Sequence, residues 1–117
     1  MVESRHKVKD HFIGRADNVQ STYEAILKAA KKFGPVEEDP KKTSIHLARK
    51  TAFAGVATRK AALILTLKSK SDIKSPRIEK RERVSASRWH LEVRLENPRE
   101  VDRELVTWLE SAHEMSG

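Results

Sequence analysis

The side chains of this chain that could do chemistry are its histidines, at positions 6, 11, 46, 90 and 113, and a dense set of lysines and arginines. There is no cysteine, which excludes a disulfide framework, a thiolate metal site and a cysteine nucleophile together. His90 and Glu92 stand two residues apart, a spacing that on a strand puts both on one face, as two metal ligands would need. Two ligands do not make a metal signature, and His46 adds no matching spacing, so an ordinary polar sheet face is the reading and no metal is assigned. A restriction-type nuclease needs an aspartate followed by Glu-x-Lys around Mg²⁺. Asp72 is followed by adjacent Glu79 and Lys80, whose side chains would point to opposite faces of a strand. Glu24 and Lys28 are a common i, i+4 helix pair. Four glycines, at 14, 34, 55 and 117, make neither a phosphate loop nor a dinucleotide fingerprint, and the acidic run Glu37-Glu38-Asp39 reads as solvated. No catalytic residue and no cofactor follow from these patterns, and the chain reads as non-enzymatic.

The basic residues are the stronger lead. Of the net charge of +7, residues 41–88 hold 14 Lys and Arg against 3 Asp and Glu, a local excess of +11, while the rest of the chain is net negative. Such a field draws in polyanions. The competing explanation is a solubilising surface that guards strand edges with lysine. The candidate ligand-binding set is Lys42, His46, Arg49, Lys50, Arg81, Arg83, Arg88, His90 and Arg94, drawn from strands expected to be neighbours. Arginine forks match phosphate or carboxylate oxygens at two points. Aromatic residues are only 5% of the chain, which makes a poor stacking platform for single strands; a nucleic-acid contact would be ionic and weakly sequence-specific.

Those residues need elements to position them. Residues 1–10 read as a flexible segment and 11–117 as one domain, a size that leaves little room for two. A first helix starts at Asp17 as N-cap, with Gln20 at the capping-box position. Its apolar stripe is Val19, Tyr23, Ile26, Leu27, Ala30 and Phe33, and Gly34-Pro35 ends it. Residues 37–42 read as a polar connection. The period then changes to two, giving strands around 44–48, 53–57, 61–68, 78–85 and 89–95, with 61–68 central and the charged 78–85 near an edge. A last helix is expected from Asn97 as N-cap, with Pro98 and Glu100 behind it and a stripe of Val101, Leu105, Trp108, Leu109 and Ala112. The fold expected is α+β: one five-stranded, mostly antiparallel, meandering sheet with the N- and C-terminal helices packed on one face.

The cadence of His11-Phe12, Gly34-Pro35, Thr43-Ser44-Ile45, Phe53-Ala54 and Leu63-Ile64-Leu65-Thr66-Leu67 is familiar. So is that of Ser85-Ala86-Ser87-Arg88-Trp89-His90, Val93-Arg94-Leu95 and Trp108-Leu109-Glu110-Ser111-Ala112. From about His11 to Glu114 the chain resembles a bacterial and archaeal family catalogued as domain of unknown function 5655. The resemblance implies an uncharacterised domain with a link to restriction-endonuclease-related, nucleic-acid-binding proteins. The family's histidine-containing strand corresponds to the stretch with His90 and Arg94. Leu91 and Glu92 occupy the positions where a second histidine often stands, a departure that argues against a paired-histidine site.

The N-terminus lacks the apolar core of a signal peptide and no run approaches the length of a membrane span, so a soluble, cytoplasmic protein with no membrane contact is expected. The functional expectation is a small binding domain engaging an anionic partner, nucleic acid leading, through a basic sheet face. The alternatives are a protein-interaction or homodimerisation module, and an enzyme on a small anionic substrate with His46 or His90 as acid–base.

Overall fold

The computed structural model describes residues 7–117. A 3-10 turn, Val8–Phe12, precedes helix α1, Asp17–Lys31. Six strands follow, β1 Glu37–Pro40, β2 Ile45–Ala48, β3 Ala52–Thr58, β4 Leu63–Ser69, β5 Ile78–Ser85 and β6 Arg88–Leu95, and helix α2, Arg103–Met115, closes the chain. The sheet order is β1-β2-β3-β4-β6-β5, and every pair is antiparallel.

The strands form where alternating apolar residues can be buried on one side. Along the three inner ladders Ile45 faces Val56, Val56 faces Leu65, and Leu65 faces Val93. The next rungs set Leu63 against Leu95 and Leu67 against Leu91. All these side chains are buried, and both helices lay their stripes over them: Val19, Tyr23, Ile26 and Ala30 from α1, Leu105, Leu109 and Ala112 from α2. Each fully buried aliphatic side chain contributes about 1.5–3 kcal/mol relative to exposure, which makes this single layer of contacts the source of the fold's stability. Among the described residues, no helix covers the opposite face of the sheet.

Three expectations need correction. The sheet has six strands, because Glu37–Pro40, expected as a connection, pairs with β2. It has no apolar alternation to reveal it; backbone pairing with β2 holds it, together with Tyr23, whose hydroxyl donates to Glu38 at 2.6 Å. The sheet is also not a simple meander. β6 inserts between β4 and β5, since β6 carries the buried alternation Leu91, Val93, Leu95 and belongs inside, while the charged β5 tolerates the edge. Third, the helix starts differ. Asp17 is the first residue of α1, behind Ala16, which offers no side-chain cap. Asn97 and Glu100 do form a reciprocal capping box, but only for the 3-10 turn Pro98–Glu100; α2 begins after Asp102, whose carboxylate accepts from the Leu105 amide at 3.1 Å.

Cross-links tie helices to strand ends. The Asn18 amide donates to the Ala61 carbonyl at 3.1 Å and also to that of Glu96. Arg77 donates to both oxygens of Asp102 at 2.9 and 3.1 Å, to Glu104 at 3.2 Å and to the Glu100 carbonyl at 2.7 Å, clamping the approach to β5 onto the start of α2. Gly34 adopts φ +145°, and a Cβ there would meet the His113 ring at 3.3 Å. His113 is buried, edge-on to Phe53, with Nε2 3.1 Å from the Pro35 carbonyl; that carbonyl accepts, so Nε2 carries the proton. Of the segment 1–10 expected to be flexible, residues 1–6 lie outside the described residues.

Candidate functional site

The open face is the natural place for a site, and its relief follows from side-chain size. On that face β3 presents only Ala52, Gly55 and Ala57, so nothing beyond a methyl rises from the strand. Its neighbours stand higher. Register sets His46 of β2 and Thr66 of β4 on either side of Gly55, and a Cβ on Gly55 would lie 3.9 Å from His46 Cδ2 and 4.0 Å from Thr66 Cβ. With strands about 4.8 Å apart, the walls of this trough are separated by about 10 Å. The trough encloses about 290 Å³, with Ser44 and His46 along one wall and Thr66, Lys68 and His90 along the other.

Lys68 closes one end. Its ammonium donates to the Ser116 hydroxyl at 3.0 Å and to that of Thr51 at 3.2 Å, two neutral acceptors. Burial and then the nearby Arg88 guanidinium hold its pKa below the ordinary lysine value. Among the described residues no carboxylate lies within ion-pair distance of Lys68 or of Arg88. Two cations that repel one another and lack a counter-charge leave room for an anion.

The remaining charges of this face are largely matched. Lys80 lies 3.9 Å from Glu92, Arg94 3.5 Å from Glu96, and His90 Nδ1 3.8 Å from Glu82 Oε1. His90 and Glu92, the same-face pair, therefore face different partners. Among the described residues no group of three or more His, Asp or Glu is placed to hold a metal ion.

The nine residues singled out in the sequence divide between two faces and two loops. His46, Arg88, His90 and Arg94 share the open face. Arg81 and Arg83 project from β5 on the other side. Arg81 is engaged by Asp72 at 2.8 Å and by the carbonyls of Ile73 and Ser75, and Arg83 lies 5.9 Å from the Trp89 ring centre. The reason is the bulge at Glu79, which changes the parity of β5 relative to β6. Lys42 sits in the β1–β2 turn, and Arg49 and Lys50 in the β2–β3 turn, with Arg49 against the chain's C-terminal end. Lys68 was missed. It is the last residue of the apolar strand expected over 61–68, and period-two counting from Thr66 puts it on the open face.

A second cavity of about 350 Å³ lies on the helix side, between Trp108 and Met115 of α2 and the loop after β4. No helix among the described residues is long and apolar enough to cross a membrane. No curated protein and no solved structure matches the chain. The order and spacing of its motifs fit a family model over residues 8–116, nearly the whole length, and the chain belongs to that family, described as Domain of unknown function (DUF5655).

Proposed function

We propose that this domain is a non-enzymatic binding module whose open sheet face takes an anionic partner, anchored at Lys68 and Arg88. The observation that carries the reading is the pair of neighbouring cations without a carboxylate partner among the described residues, beside a trough. Nucleic acid is the polymeric form of such a partner. The +11 segment supports it, since Lys42, Lys50, Arg59 and Lys60 occupy the turns at the two ends of β2 and β3. The contact would be ionic and would weaken steeply with salt. Titration of labelled duplex and single-stranded oligonucleotides at low and moderate salt tests this form. The expected result is salt-sensitive binding that the double variant Lys68→Met, Arg88→Ala abolishes. Absence of binding at low salt removes the polymer, and absence of any Lys68-dependent anion binding removes the reading itself.

One observation favours a second reading, acid–base catalysis on a small anionic substrate. His90 stands in the trough wall with Glu82 Oε1 3.8 Å from its Nδ1, which puts a carboxylate beside a side chain able to exchange protons. Screening simple phosphate and carboxylate esters against the wild type and His90→Gln tests it. Turnover by the wild type that His90→Gln loses would favour this reading over simple binding.

A further inference from the structure

The trough has two chemically different parts. One end holds Lys68, with Arg88 near it on the same face but outside the lining, and the floor is methyl and backbone at Ala52, Gly55 and Ala57. Its volume of about 290 Å³ sits at the lower limit of small-molecule sites. A polymer tracking the same face would need further free cations at intervals, yet Lys80 and Arg94, the next along it, already have carboxylates beside them. Gly55 matters for a reason other than backbone freedom. Its φ lies outside the left-handed region and a Cβ would fit at ordinary contact distances, so the backbone does not demand glycine. What its missing side chain provides is depth.

We infer that the occupant of the trough is a small amphipathic anion, with one phosphate or carboxylate at Lys68 and Arg88 and a compact apolar or aromatic body lying on Gly55 and Ala57 between His46 and His90. This rests on the reading of Lys68 and Arg88 as an anion anchor, and names the class of molecule the anchor serves. The head group supplies the counter-charge the two cations lack, and burial of the body on the floor supplies affinity that the head alone does not have. The imidazoles of His46 and His90 offer each wall a donor or acceptor for polar substituents on the body. An anion bound at this end also works against the burial, and then the Arg88 charge, that lower the Lys68 pKa.

Three probes separate the parts: inorganic phosphate for the head, phenol for the body and phenyl phosphate for both, titrated by calorimetry and by amide shifts in two-dimensional NMR. Phenyl phosphate is expected to bind about tenfold or more tighter than either fragment and to shift Gly55 and Thr66. Gly55→Val fills the floor and is expected to reduce phenyl phosphate to the level of inorganic phosphate while leaving inorganic phosphate unchanged. Lys68→Met is expected to weaken both anions and leave phenol unaffected. Should Gly55→Val prove unfolded by thermal melting, Ala57→Leu blocks the same floor from a second position. Equal binding of phenyl phosphate and inorganic phosphate, or indifference of phenyl phosphate to both floor variants, overturns the amphipathic ligand and leaves the anchor standing. An oligonucleotide that binds more tightly than phenyl phosphate and ignores the floor variants assigns the anchor to a polymer instead. Loss of all Lys68-dependent anion binding overturns inference and anchor together.

Discussion

Lys68 and Tyr23 are ionisable groups whose surroundings favour the neutral form, and their consequences run in opposite directions with pH. Burial, then the hydrogen bond to Glu38 and its charge, raise the Tyr23 pKa far above the ordinary tyrosine value. The unfolded chain therefore loses that proton first, and stability contributed by Tyr23 is present at neutral pH and falls once pH passes the ordinary tyrosine range. Tyr23→Phe removes the hydroxyl donor to a carboxylate; about 1–3 kcal/mol should be lost by urea unfolding, and the alkaline decline should flatten. Lys68 has its folded pKa lowered, so the unfolded state binds more protons as pH approaches the lysine range and stability there rises with pH. Anion binding at Lys68 should weaken at a lower pH than an ordinary lysine would allow, and the pH dependence of inorganic phosphate affinity, read by calorimetry, checks this. Of the candidate site, the placement of His46, Arg88 and His90 on one sheet face was legible from residue type and strand parity. Lys68 was not, because what singles it out is the neighbour Arg88 from a strand 20 residues away in sequence.

At the scale of elements, the start of α2 is a joint where three functions meet in one carboxylate. Asp102 caps the helix through the Leu105 amide, binds Arg77 and thereby fixes the segment leading into β5. The Leu105 amide, then the Arg77 side chain, hold its pKa below the usual carboxylate value, and Arg77 in turn has a raised pKa because its bonds to Asp102 and Glu104 outweigh the effect of burial. With the folded pKa depressed, this stabilisation is complete above the unfolded carboxylate pKa and is lost as pH falls through the folded one. Asp102→Ala is expected to cost about 1–2 kcal/mol at neutral pH. Asp102→Asn should keep much of the cap yet flatten the acid limb of the stability curve, measured by urea titration from pH 3 to 7. The sequence pattern located the helix stripes and strands β2, β3, β4 and β6 because burial writes a period into each, whereas β5 is exposed beyond Ile78 and was legible only as a charged segment. It could not locate β1, where all of Glu37, Glu38 and Asp39 are exposed and pairing comes from the partner strand. The helix start was assigned to Asn97 because Asn97, Pro98 and Glu100 carry genuine capping chemistry, but that chemistry serves the 3-10 turn and α2 begins behind Asp102.

For the molecule as a whole, stability resides in one layer between the sheet and two helices. Leu65 is fully buried at its centre, and Leu65→Ala is expected to cost about 2–5 kcal/mol by denaturant titration, a large share of the 5–15 kcal/mol typical of a domain. The two sheet edges differ in how they avoid pairing. β1 is four residues long and ends in Pro40, which has no amide to donate. β5 carries bulges at Glu79 and Val84 and a run of five charged residues of mixed sign, Glu79 to Arg83. These features oppose the edge-to-edge dimer that was one alternative, and sedimentation velocity is expected to show a single species of about 13.3 kDa.

The insertion of β6 between β4 and β5 also orders events in time. As the chain leaves the ribosome, β1 to β4 can assemble in sequence, but β5 emerges with no strand to receive it, and the apolar margin of β4 stays uncovered until Leu95 has been made. A polypeptide interrupted before Arg88 would present that margin to its neighbours as an aggregation edge. The six charged and polar residues of β5, waiting beside it, are then the nascent chain's own protection during the interval.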